Sequence, residues 1–215
     1  MDMTSVKPVA VRQSGFTLIE MMVSSAVGIL VLMTVSTVYL KGQDLAFGRA
    51  HQLAITQDAF DALRMIKEEI QRAGYSPSGS SLRLLGSSNI VEINSDGNCV
   101  ALVYQSPGSS EFQHSAFYLN PTQEKLVYRS KKEPSVLAFS TLCDGTGGEQ
   151  LLDLNLYKVK DFTVSAASLV GPSAQSGFYT IQLGIEPKSG TDVCKYGKSN
   201  ICEYSLSVKP RNWKS

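Results

Sequence analysis

Glu20 is the residue whose chemistry has to be explained first. It is the only charged side chain between Phe16 and Leu40, a run of 25 mostly aliphatic and small residues. A carboxylate at mid-bilayer depth costs roughly 2.5–3.5 kcal/mol, and less near the headgroups. Glu20 is therefore tolerated close to an interface, or because another group pairs with it. The residues before it are equally pointed. Lys7 and Arg12 come first, Gly15 follows, and the apolar run begins only at Phe16. A secretory signal has its cleavage site after the apolar segment. Here a cut after the small Gly15 would remove the basic leader and leave the apolar helix on the product.

Other residues with chemical potential do not converge. His51 and His114 have no spacing that implies a shared metal, and both read as surface groups, the first on a helix and the second in a loop. Asp96-Gly97-Asn98 is a fragment of a calcium-loop pattern without the later glutamate, so it reads as a tight turn. Gly145-Thr146-Gly147-Gly148 has no following lysine and is no phosphate loop. Lys195, Tyr196 and Lys198 read as a solvated hairpin tip rather than a polyanion site. The formal charge is +1, with both signs mixed along the chain and no basic stripe, so no dedicated nucleic-acid surface is expected. No catalytic constellation, metal site or cofactor site is expected, and the chain reads as a non-enzyme.

Four cysteines, none in a C-x-x-C pair, follow a membrane-directed segment, which favours disulfides over zinc. Three connectivities are open. Cys194 and Cys202 flank the turn-like KYGKSNI, which favours Cys194–Cys202 and leaves Cys99–Cys143. The chain-entropy argument gives roughly 2.5 kcal/mol for the short loop and roughly 4 for the long one.

The elements that position these residues divide the chain into four stretches. Residues 1–15 form a leader. Residues 16–40 form a helix of ~37 Å, long enough to cross a bilayer. Over 41–74 the helix continues with an apolar stripe at Leu53, Phe60, Leu63, Ile66, Ile70 and Ala73, and with Asp58, Asp61, Arg64, Lys67 and Glu68 on other faces. Gly74 suits the left-handed position past a helix end, and Pro77 prevents resumption. Residues 75–215 read as a β-rich head. Both faces of 99–104 are apolar, which marks a central strand, and FYLNPTQEKLVYRS reads as a hairpin. Period-two runs at Phe162–Ala166, Tyr179–Ile185 and Cys202–Val208 predict a sheet with one covered face, the cover being the helix stripe. The expected fold class is α+β, a long N-terminal helix packed on an antiparallel sheet.

From Gly15 through Phe16, Thr17, Leu18 and Ile19 to Glu20, the string resembles the type IV prepilin signal residue for residue. The resemblance implies that a prepilin peptidase cuts the Gly15–Phe16 bond and methylates the amine of Phe16. It also implies that Glu20 pairs with the Phe16 ammonium of a neighbouring subunit. Unlike many major pilins, the chain has no proline around Val35–Val38. Three further features resemble PilW-type minor pilins: Arg72-Ala73-Gly74-Tyr75 at the end of the stem, the hairpin with its leucine-tyrosine-arginine finish, and the closing VKPRN.

The function so implied is a minor pilin in a complex that primes assembly of a type IV pilus, with roles in motility, adhesion and DNA uptake. Its partners would be the prepilin peptidase, other minor pilins, the major pilin, the inner-membrane assembly platform and membrane lipid. Localisation would be a single-pass inner-membrane precursor with a periplasmic head, then the pilus. The alternative is a J-type minor pseudopilin of type II secretion, which shares signal, stem and sheet; the four cysteines and the Arg72–Tyr75 ending favour the pilus. A plain membrane anchor carrying an enzyme or sensor is the rival from another class.

Overall fold

The computed structural model describes residues 15–170, 175–188, 194 and 200–211. Lys7 and Arg12 of the leader, Lys195, Tyr196 and Lys198 of the hairpin tip, and Asn212 of the closing motif lie outside the described residues. The elements run α1 (Leu18–Arg72), β1 (Val91–Ile93), β2 (Cys99–Tyr104), β3 (Phe112–Asn120), β4 (Lys125–Glu133), α2 (Phe139–Leu142), β5 (Glu149–Gln150), β6 (Tyr157–Val170), β7 (Gln175–Pro187) and β8 (Cys202–Val208). Two compact units divide between Phe47 and Gly48. The first holds the apolar part of α1. It includes an 18-residue window of mean hydropathy 2.1, none of it buried within the structure and long and apolar enough to span a membrane.

The second unit packs the remainder of α1 against the strands. The helix buries Ile55, Ala59, Ala62, Leu63, Ile66 and Ile70, and Ala73 just beyond its end. This corrects the predicted stripe at two positions. Leu53 is 70% exposed, and Phe60 is 47% exposed, lying edge-on to Tyr204 with ring centroids 5.7 Å apart. Helix geometry explains both. Leu53 is two residues from Ile55 and so sits ~200° around the helix, whereas Phe60 is ~60° from Leu63 and only its edge reaches the seam.

One sheet was the expectation; the structure has two. The first is ordered β1-β2-β3-β4-β5 and the second β6-β7-β8, with every paired neighbour antiparallel. A bulge between Val159 and Asp161 interrupts β6. Strand β6 packs against the first sheet through side chains and forms no ladder with it; its backbone donates at two turns, from the Val164 N–H to the Gly97 carbonyl (2.8 Å) and from the Val159 N–H to the Glu124 carbonyl (2.7 Å). Gly97 has φ +74°, and a Cβ there would stand 3.1 Å from the Val164 carbonyl oxygen, so this junction requires glycine. The inner faces of both sheets and the α1 stripe form one core.

The first sheet is also covered on its other face. Ala101, Val103 and Ala116 pack with Leu84 and Leu142, joined by Val136, Leu137 and Phe139. That second layer is why β2 is apolar on both sides, and it corrects the expectation that only the helix covers the sheet. Strand β8 keeps the alternation of a one-sided sheet, with Glu203, Ser205 and Ser207 exposed.

The corrected stripe makes a stability prediction. Ile66→Ala should cost about 2–5 kcal/mol and Leu53→Ala no more than about 0.5, read from urea unfolding of the full chain. Equal losses would contradict the assigned seam.

Candidate functional site

The N-terminal site is built from Gly15, Phe16, Thr17 and Glu20. Gly15 is exposed, and nothing lies within 4 Å of where a Cβ would sit. Its own fold places no demand for glycine there. Phe16 is exposed and precedes the first helical residue, Leu18. Thr17 and Glu20 then close a reciprocal cap. The Glu20 carboxylate oxygen Oε2 accepts the Thr17 backbone N–H and the Thr17 hydroxyl, each at 3.2 Å, and the Glu20 N–H donates to Thr17 Oγ1 at 3.4 Å. This is the Thr-x-x-Glu capping box, which satisfies donors at a helix N-terminus that lipid cannot. The carboxylate also lies at the positive end of the helix dipole. The capping box was legible as Thr17-Leu18-Ile19-Glu20, but the intermolecular reading of Glu20 overlooked it.

Hydroxyls farther along the apolar run are answered within the helix. Ser25 donates to the Met22 carbonyl, Thr34 to Leu30, Ser36 to Leu32 and Thr37 to Thr34. These four hydroxyls are thus matched by carbonyls of their own helix.

In the second unit, Cys99 is bonded to Cys143 and Cys194 to Cys202, with Cα separations of 6.2 and 5.1 Å. The first bridge ties the start of β2 to the residue that ends α2, beside buried Tyr118 and Val127.

A buried acid at the end of α1 is a further element that the sequence reading missed. Glu69 Oε2 accepts the hydroxyl of buried Ser115 on β3 at 2.6 Å, and Glu69 Oε1 meets Arg72 Nη1 at 2.6 Å. The available signal was spacing, since Glu69 falls three residues after Ile66 within the buried stripe. Higher on the same helix, Asp58 Oδ2 accepts the hydroxyl of buried Tyr157 at 2.9 Å. Burial first, and then the Asp58 carboxylate, push that phenol up to about 12.

The two histidines do not form a site. His114 is not in a surface loop but fully buried in β3, where its Nε2 accepts the Leu137 N–H at 3.0 Å. The alternation that hid it is the two-sided burial of the first sheet. His51 is half-buried on α1. Among the described residues no group of three or more His, Cys, Asp or Glu is placed to hold a metal. Asp96-Gly97-Asn98 forms a turn closed by the Gly97 N–H on the Asn94 carbonyl, and Asn94 Oδ1 accepts the Cys99 N–H. In the 144–148 loop, Asp144 accepts from Thr146 and pairs with Arg129 at 2.6 Å. Both loops are structural.

With that geometry in place, the comparisons are specific. The prokaryotic N-terminal methylation motif matches residues 11–36, and the family model for prepilin peptidase-dependent protein B matches residues 49–201. Among solved structures, the type IV-like pilin TTHA1219 from Thermus thermophilus is similar at 13% identity, covering 74% of this chain and 98% of that one with a TM-score of 0.47. No curated protein matches.

His114 gives the unit a defined acid sensitivity. Burial holds its pKa below the ordinary value of 6.5, Lys131 lowers it further, and Glu133 and backbone carbonyls oppose that shift. The unfolded chain takes up this proton near pH 6.5 and the folded chain only at lower pH. Stability from this group is therefore complete above about pH 6.5 and is lost as pH falls from there toward the folded-state value. The urea midpoint should drop between pH 7 and pH 5, and His114→Gln should flatten that drop.

Proposed function

The chain belongs to the prepilin peptidase-dependent protein B family and is a type IV pilin-like protein, and from that premise we propose that it is a minor pilin of a type IV pilus. In this reading residues 1–15 are a leader removed by prepilin peptidase, and Phe16 carries the new, methylated amine. Residues 16–40 cross the inner membrane and then enter the filament core, residues 41–74 continue the helix, and residues 75–215 form a periplasmic head that is later exposed on the pilus. The protein acts with other minor pilins and the assembly platform to prime polymerisation of the major pilin.

The observation that carries this reading is the placing of Gly15, Phe16 and Glu20 around a helix start. The scissile position is open and free of local steric demand. The amine created at Phe16 would lie one residue from the Thr17 amide that Glu20 already accepts. Glu20 can therefore be held by its own helix in the unassembled subunit and exchange that cap for the ammonium of a neighbour. An uncompensated charge in an apolar bundle is costly, so subunits stacked out of register are disfavoured.

Three substitutions test the assignment. Gly15→Val should accumulate full-length precursor, seen by mass analysis of the N-terminus. Glu20→Ala should be processed but fail to enter pili. Thr17→Val, which loses the hydroxyl cap and keeps the carboxylate, should be processed and assembled. Assembly of the Glu20 variant at normal yield would remove the pairing role. Deleting the gene should abolish surface pili while secreted enzymes are still exported; loss of export with normal pili would instead assign the chain to type II secretion.

A further inference from the structure

Two of the short motifs in the chain, Arg72-Ala73-Gly74-Tyr75 and Val208-Lys209-Pro210-Arg211, are far apart in sequence and meet at one cleft. Its volume is about 610 Å3, and its lining is Gln71 and Arg72 at the end of α1, Tyr75, Tyr104 at the end of β2, Ser106 with Pro107, and Arg211. That volume is within the range of small-ligand sites. We propose that this cleft is a binding site for a carboxylated sugar ring. The proposal does not depend on which assembly machine the protein serves.

The walls are fixed. The Gly74 N–H donates to the Val103 carbonyl, the Gln105 N–H to the Tyr75 carbonyl, and the Leu82 N–H to the Gly74 carbonyl. Gly74 has φ +74°, and a Cβ there would meet the Ile90 side chain at 3.0 Å, so the turn that presents Tyr75 is specified by its glycine. Pro210 is buried, and the exposed Arg211 that follows it lines the cleft.

The chemistry of the lining selects the ligand. Tyr75 and Tyr104 supply ring surface together with hydroxyls, and Gln71 and Ser106 add neutral donors and acceptors. Such a mixture suits a polyhydroxylated ring with an apolar face. The two guanidiniums differ in charge balance. Arg72 is held by the buried Glu69 carboxylate at 2.6 Å and lies 3.9 Å from Glu68. Its charge is already answered, and it serves as an oriented donor. Arg211 is exposed and makes no ion pair among the described residues. One uncompensated guanidinium matches one carboxylate. A peptide strand is disfavoured, because the backbone groups of 74, 75 and 105 that could pair with it are already used.

The test uses the full chain in a detergent without sugar headgroups, titrated with glucuronate, N-acetylneuraminate and glucose and followed by saturation-transfer NMR. At least one carboxylated sugar should saturate, at an affinity at least about tenfold above that of glucose. Binding of glucuronate alone would indicate uronic-acid polymers as the source, and binding of N-acetylneuraminate alone would indicate sialylated glycans. Arg211→Gln should weaken the binding about tenfold, and Tyr75→Ala should weaken both carboxylated and neutral rings. Since Arg211 is exposed, its variant should keep the urea midpoint of the parent. The proposal is overturned if no carboxylated sugar saturates in the millimolar range, if glucose binds equally well, or if Arg211→Gln leaves the affinity unchanged.

Discussion

A charge placed in apolar surroundings must be answered by donors or by an opposite charge, and that constraint governs both ends of α1. At the start of the helix the Glu20 carboxylate is held by the backbone and hydroxyl of Thr17. At the other end Glu69 is held by Ser115 and Arg72. The two acids meet the same physical requirement in different media. Glu69 is buried in the packed unit, and removing Arg72 would leave its charge with only the Ser115 hydroxyl to answer it. Glu20 lies on a segment that no described residue covers, and its cap among the described residues consists of local, exchangeable hydrogen bonds to Thr17. A local cap can be replaced by a stronger charged partner without disturbing the packed unit.

The same helix therefore serves two surroundings with one backbone. Its first part has side chains that suit lipid or other apolar helices, and its hydroxyls bond to the carbonyls of their own helix. Its second part presents a narrow stripe with alanines at 59 and 62, continued by Ala73 just past the helix end, and all three are buried in the core shared with the strands. Opposite that stripe the helix carries exposed charges, including the Arg64–Glu68 pair at 3.2 Å, which adds little stability at such exposure. The second unit thus owes its cohesion to the seam and to the two sheets rather than to surface ion pairs.

Much of this was legible in the chain. Strand existence followed from period-two runs, the hairpin from Pro121-Thr122-Gln123, and the helix end from Gly74. Partner choice was not legible, because alternation identifies which residues share a face and says nothing about which strand lies alongside. The division into two sheets depends on turns instead: the backbone carbonyls of Gly97 and Glu124 each accept one backbone N–H of β6, and the two sheets share no ladder. His114 was misplaced for a related reason. The sequence places His114 in a loop, whereas β3 already begins at Phe112, and the layer that covers the histidine there is built from Leu84, Val136, Leu137 and Leu142. That layer comes from loop residues and the single-turn helix α2, which show no periodicity in the sequence. Leu53 shows the reverse error, since an apolar residue near a helical stripe need not belong to it when its angle around the axis is wrong.

The glycines separate demands made by the fold from demands made by something else. Gly97 is required by this structure, because its positive φ and its approach to the Val164 carbonyl exclude a side chain. Gly15 meets neither condition: a Cβ there would touch nothing, and the backbone is not left-handed. An exposed glycine that the fold does not need, directly before the apolar run, is best explained by a second molecule that must bring its own atoms close to that backbone. Gly15 falls within the prokaryotic N-terminal methylation motif matched over residues 11–36, which supports the proposed processing at this position. Under the proposed assignment the constraint on residue 15 lies in the peptidase's cleft and not in this protein, and stability arguments alone would not single it out.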